Sequence, residues 1–174
     1  MQCEITHIFD SQEFTSIHWL KSTIFYKLKE KFVRNWRYEI YDSSKGINYR
    51  IYKHDLSLEN YLLDLPPKLA RAYCKFRTRN IKIPIESGRW SNIPREERLC
   101  KLCILNEIGD EFHYLFNCTD QVILHSRRKY MSRYYFERPS TFKFNTLFNF
   151  VTNRELVYLA KFITDVNQRI NSQY

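Results

Sequence analysis

Glycine is scarce in this chain, 3 residues in 174, and proline adds only 5. A turn-rich all-β fold and a glycine-lined phosphate loop both need more, so neither fits. Long apolar runs are missing as well: none approaches the ~18 residues of a membrane-crossing helix, and no membrane partner is expected. Met1 to Asp10 has no basic region followed by an apolar stretch, so no secretory leader is read there. Acids are the minority charge, 19 against 28 lysines and arginines, for a net of +9. That excess favours an anionic partner without identifying one. Aromatics, by contrast, are abundant, with 13 Phe, 13 Tyr and 3 Trp. Such a composition excludes disorder and supplies a core. Five cysteines, an odd number without a leader, point to a reducing setting. The expected location is therefore intracellular, nuclear or cytoplasmic, and not secreted.

Helical periods dominate the rest. Phe14, Ile17, Leu20, Ile24, Leu28, Phe32 and Trp36 recur every three or four residues, predicting a long amphipathic helix capped by Asp10 or Ser11 and followed by a loop over residues 42–46. Ile47 to Tyr52 reads as a short extended piece. A brief helix through Tyr61 and Leu62 ends at Pro66, and Pro67 opens another that runs to about Arg79. Ile81 to Ile85 alternates and contains Pro84, which suggests extended chain or an edge strand, with a turn at Gly88. Short helices are expected at Arg95 to Arg98 and from Asp110. One more runs from Thr119 or Asp120 to before Pro139, another starts at Ser140, and a last one carries Leu156, Leu159, Ile163, Val166 and Ile170. The expected fold is mainly α, a single multi-helix domain over 1–174. Its parts are a long helix and loop (1–46), a helical region with a short extended segment (47–93), a cysteine–histidine subsite (94–125) and C-terminal helices (126–174).

The chemistry concentrates in that subsite. Cys100 and Cys103 are spaced C-x2-C; nine residues later come His113 and Cys118, spaced H-x4-C. A C-x2-C turn presents two thiolates from one tight loop, and a second pair closes a tetrahedron, the arrangement of a structural Zn²⁺ site with no open position for water. One structural zinc is therefore expected. Asp110, three residues before His113, is placed to fix the imidazole through its other nitrogen. His125 is a spare ligand, Cys3 and Cys74 are free thiols, and a redox role for the C-x2-C pair lacks the βαβ context it would need.

The residues around these ligands resemble a known family. Lys75 to Asn80, Ile85 to Trp90, Ile93 to Cys103 and Gly109 to Cys118 are similar to the C-terminal zinc-binding tail of non-LTR (LINE-type) retrotransposon reverse transcriptases. Glu59 to Leu62 before Pro66, and Arg138 to Ser140 before a final helix, extend the likeness over nearly the whole chain. The resemblance implies the same four ligands, contact with RNA or DNA near the metal, and an upstream reverse transcriptase domain as partner. The chain departs from the family where Ile81 follows Asn80 and Thr119 follows Cys118. The polymerase's Tyr-x-Asp-Asp strand is absent, so polymerase activity is not carried over, and Met1 is open to being an internal methionine of a longer reading frame.

Two basic segments flank the ligands. Pro66 to Lys101 holds ten Lys or Arg against three acids, and His125 to Lys143 holds six against one. The expected nucleic-acid contacts are Arg77, Arg79, Lys82, Arg89, Trp90, Arg95, Arg98, Lys101, Arg127, Arg128, Lys129 and Arg133; Tyr130, Tyr134 or Tyr135 could stack bases too, but each reads better as a core aromatic. Arg77, Glu86 and Arg89 alternatively form an ion-pair network orienting the ligand loop. The only acidic cluster, Glu107, Asp110 and Glu111, lies between ligands, and no catalytic set is found. The leading expectation is a non-catalytic nucleic-acid-binding module. The alternatives are a protein-interaction module, using the Leu156–Ile170 stripe to dock on a polymerase domain, and a decayed retroelement fragment.

Overall fold

The computed structural model describes residues 16–42 and 47–172. Phe14, Cys3, the Asp10 and Ser11 caps and loop residues 43–46 lie outside them. Helix α1, Ile17–Asp42, forms where the apolar period places it, yet none of its residues is buried. Ile17, Phe25 and Phe32 are 71%, 69% and 62% exposed. By compactness the chain divides into two units, residues 1–39 and 40–174.

The second unit is helical, and the described residues contain no strand, only an isolated bridge between Leu99 and Ile108. Its elements are α2 (Tyr49–Tyr52), α3 (Tyr61–Asp64), α4 (Pro67–Arg77), α5 (Pro84–Trp90), a 3₁₀ turn (Arg95–Glu97), a π turn (His113–Asn117), α6 (Gln121–Tyr130), α7 (Arg133–Phe136), α8 (Thr141–Asn149) and α9 (Asn153–Asn171). Two segments correct the sequence reading. The extended piece at Ile47 to Tyr52 is instead a turn leading into α2, whose Tyr52 stacks on Phe148 at 4.5 Å. The edge strand at Ile81 to Ile85 gives way to α5, because Pro84 sits at the first helical position, where a missing N–H costs nothing. Gly88 then lies inside α5. Any Cβ there would come within 2.6 Å of the Arg98 side chain, so the glycine permits a close approach and makes no turn. The helix expected before Pro139 is likewise two, α6 and α7, broken at Met131, which is extended (φ −117°, ψ 142°).

Helix α9 is the spine of the unit. Thr152 and Glu155 form a reciprocal capping box at its start. Leu156, Leu159, Phe162, Ile163, Val166 and Ile170 fall on one stripe and are buried, with α4 and α6 packed on it. α6 is capped by Asp120, which accepts from Val122 and Ile123 N–H and pairs with Arg169 of α9 at 2.8 Å. α8 begins at Ser140, which accepts from Lys143 N–H. An aromatic cluster of Tyr52, Tyr73, Phe144 and Phe148 fills the space between α2, α4 and α8.

The end of α4 aims the chain at the ligand segment. Asn80 N–H bonds to Lys75 C=O at 2.7 Å and Arg79 N–H to Phe76 C=O at 3.2 Å, the paired bonds of a Schellman cap. Arg79 occupies the left-handed position (φ 56°), where glycine is usual. Its guanidinium reaches Glu111 at 2.5 Å, a contact no glycine could make.

Candidate metal centre

Cys100 leads a loop whose two arms are laced together. Cys100 N–H bonds to Glu107 C=O at 2.8 Å, and Gly109 N–H to Arg98 C=O at 2.9 Å. At the tip Asn106 takes a left-handed conformation (φ 54°) that lets the chain reverse. Within the C-x2-C turn, Leu102 N–H points at Cys100 Sγ, 3.4 Å away, stabilising a thiolate there. Past the loop, Asp110 Oδ1 accepts from His113 N–H at 3.0 Å and starts the helical turn that carries His113 inward. That turn runs on as a π turn, burying Tyr114, Leu115 and Phe116 and delivering Cys118.

The four side chains converge: one ligand atom from each of Cys100, Cys103, His113 and Cys118 lies within 4.8 Å of the others. Geometry tests whether a metal fits. Bond lengths of about 2.3 Å to sulfur and 2.05 Å to nitrogen in a tetrahedron require sulfurs about 3.8 Å apart and sulfur–nitrogen pairs about 3.6 Å apart. Cys100 Sγ is 3.9 Å from Cys118 Sγ, and Cys103 Sγ is 3.4 Å from His113 Nε2. These two edges match a tetrahedral ion, and the whole set, within 4.8 Å, is close enough to share one metal. Cys100, His113 and Cys118 are buried and Cys103 half-buried, so the site is closed.

The ligand atoms share protons among themselves. Cys100 is lowered to about 3, chiefly by the hydrogen bond from Cys118, whose own thiol is pushed up by the same shared proton. Burial alone would lower His113, but hydrogen bonds with Cys100 and Glu107 outweigh it and raise the imidazole to about 9. An entering metal therefore displaces protons from both His113 and the sulfurs. Arg127, 2% exposed, has its pKa lowered to about 10 by burial, with attraction to Cys118 opposing, so it stays charged beside the thiolates at neutral pH.

One ligand support differs from expectation. The imidazole's Nδ1 is held by Glu107 Oε2 at 2.9 Å, from the return arm of the loop, and Asn117 Nδ2 donates to the same oxygen at 3.0 Å. Asp110 cannot fill that role because its carboxylate is committed to the backbone as a cap.

Several arginines expected on the surface are interior. Arg77 is 2% exposed, pairs with Glu59 at 3.1 Å, donates to Phe148 C=O and lies 4.5 Å over the Tyr52 ring. Arg79 is buried against Glu111, and Arg127 donates to Tyr114 C=O at 3.0 Å. Each is corrected from nucleic-acid contact to structural post: buried backbone carbonyls and carboxylates need donors, and arginine reaches them. Of the alternative network, Arg89 does pair with Glu86 at 3.0 Å, whereas Arg77 takes Glu59. Arg98 is half-buried, donating to Ile93 and Ile85 C=O. Arg95 is half-buried; Lys82, Trp90, Lys101, Arg128, Lys129 and Arg133 are exposed. Arg133 pairs with Glu137, and Lys129 lies 4.8 Å over Tyr130. Tyr135 is buried and unavailable for stacking, while Tyr134 is exposed.

Sequence reasoning passed over Lys68, Arg71 and Lys75 as individual contacts. Their spacing held the signal: three and four residues apart, they form one stripe of α4, while Ala70, Tyr73 and Phe76 are buried. Compared with protein-family models, with curated proteins and with solved structures, the chain finds no match in any of the three. Among the described residues no helix is long and apolar enough to cross a membrane.

Proposed function

We propose that the chain is a zinc-stabilised nucleic-acid-binding module, non-catalytic, of the kind found at the C-terminus of non-LTR retrotransposon reverse transcriptases. The convergence of three cysteines and one histidine within 4.8 Å carries this reading. Three thiolates select zinc over harder cations, and four protein ligands leave no coordination position for a substrate. Zinc there acts as a cross-link. Its partners are RNA or DNA, gripped through exposed lysines and arginines around the site, together with an upstream polymerase domain in a full-length element.

The test is retention of a labelled oligonucleotide by the zinc-loaded chain as salt is raised. Binding that falls steeply and linearly on a log–log plot is expected. No retention at low salt would overturn the reading.

The alternative interface, Leu156–Ile170, is buried in the core and is withdrawn. A protein-docking reading now rests on the exposed apolar side chains of α1. A salt-insensitive complex with a polymerase domain, without nucleic-acid retention, would favour it.

A further inference from the structure

A cleft of about 570 Å³ opens between α4, α5 and α9. Lys68, Arg71 and Lys75 line one wall, Lys82 and Trp90 the second, and Asn167 the third. No carboxylate among the described residues forms an ion pair with any of the four cations. The acid in the wall, Glu86, is buried and already paired with Arg89. Lys68, Arg71 and Lys75 follow one another along α4 at about 5 Å per step, a ladder of charge rather than a point. Trp90 is 78% exposed, although a tryptophan with no partner to cover it gains by being buried. Arg89 lies 5.2 Å over its ring, which leaves the opposite face to solvent.

We propose that this cleft is a single-strand nucleic-acid track, in which Lys68, Arg71, Lys75 and Lys82 neutralise backbone phosphates and Trp90 stacks an unpaired base. The proposal rests on the nucleic-acid reading above and names its site and substrate form. A duplex hides its base faces inside the stack and leaves Trp90 idle, whereas a single strand offers both charge and π faces. An acidic peptide would satisfy the lysines but has no ring to place on the indole.

The metal centre explains how the walls are held. Glu111, two residues before His113, clamps the end of α4 through Arg79 and also accepts from Asn48 at 2.6 Å. Gly109 accepts from Ile85 N–H at 3.2 Å in the first turn of α5, and a Cβ on it would strike the Pro84 ring at 2.7 Å. The ligand segment thus fastens both basic walls while contributing none of the contacts.

The experiment is fluorescence anisotropy of the zinc-loaded full chain with a labelled single-stranded 20-mer, as RNA and as DNA, and with a duplex of equal length. The single strands are expected to bind at least tenfold more tightly than the duplex. Lys75→Glu/Lys82→Glu should weaken single-strand binding at least tenfold and reduce the log–log salt slope by about 1.4, two phosphate contacts' worth. Trp90→Ala should cost about tenfold and Trp90→Phe recover most of it, each with an unchanged melting temperature. Arg154→Glu/Lys161→Glu, exposed on α9 and outside the cleft, should cost less than threefold.

Loss in that last variant with none in the cleft variants would overturn the track and leave the nucleic-acid function standing. Equal affinity for duplex, or polyglutamate competing as well as oligonucleotide at equal charge, would also overturn the track. No binding to any nucleic acid by the wild-type chain would overturn track and function together.

Discussion

Residues 153–171 and residues 100–118 are equal in length and rest on opposite physics. The first is an unbroken helix: a capping box fixes its start, apolar residues return every three to four positions, and its buried stripe meets α4 and α6. The second has one isolated bridge, a left-handed turn and a π turn, with Glu111, His113 and three cysteines turned inward. Burying such groups is unfavourable unless each is paired or ligated. A stretch with regular periodicity is held by hydrophobic burial, whereas an irregular one needs a specific bond for every buried polar group. A metal can supply four of those bonds at once.

Removing the ion should break this comparison most severely. Structural zinc contributes on the order of 10 kcal/mol to folding in small zinc domains. Stripping it with a chelator, or substituting Cys118→Ser, should abolish hydrogen-exchange protection across Leu99 to Cys118. The amides of Leu159 to Val166 should stay protected. Loss of both regions together would show that α9 depends on the metal as well.

Next in size is the buried pair joining the irregular segment to α4. Arg79→Met leaves the buried Glu111 carboxyl without its cationic partner and should destabilise by about 3–5 kcal/mol in urea unfolding. The double variant Arg79→Met/Glu111→Leu should recover a large part of that loss, because it removes the stranded carboxyl. Glu107→Ala comes third. It frees the imidazole's Nδ1 and should weaken metal affinity about 10- to 100-fold, measured by competition with a chromophoric chelator. Asp110→Ala, by contrast, should act on the helical turn's stability and move affinity less.

The smallest effect belongs to the regular region. Asp120→Ala removes the α6 cap and the Arg169 partner and should cost about 1–2 kcal/mol. Burial pushes the Asp120 carboxyl up, but Arg169 and the N–H groups of Ile123 and Val122 outweigh it and hold it below its ordinary value. With the folded pKa depressed, the contribution is full above the unfolded value near 4 and is lost as pH falls through the folded pKa. The stability gap between Asp120→Ala and wild type should therefore be constant at neutral pH and close only below about pH 4.

How much of this was legible in the sequence follows the same division. The starts of α4, α6 and α8 were readable because Pro67, Asp120 and Ser140 act on their own helices within three residues. The ligand set was readable because C-x2-C and H-x4-C are local spacings. The partners were not. Glu107 reaches His113 only because the loop's return arm brings it back, and a helical-face argument picks Asp110 instead. Arg79 and Glu111 are 32 residues apart, and Arg77 and Phe148 are 71 apart. Nothing local tells a buried arginine from one in solvent. Charge counting along the chain therefore took in three arginines, Arg77, Arg79 and Arg127, that the fold buries. α5 was missed for a similar reason: Pro84 reads as a strand edge until the packing of Gly88 on Arg98 is known.

The central claim is that one ion holds residues 100–118 in place. Its most direct test is metal content per chain, by native mass spectrometry, on protein purified without added zinc and compared with Cys100→Ser/Cys103→Ser. The account predicts about one zinc per wild-type chain and none in the variant, whose ligand segment loses its fold. A wild-type chain that is well folded and metal-free would contradict it.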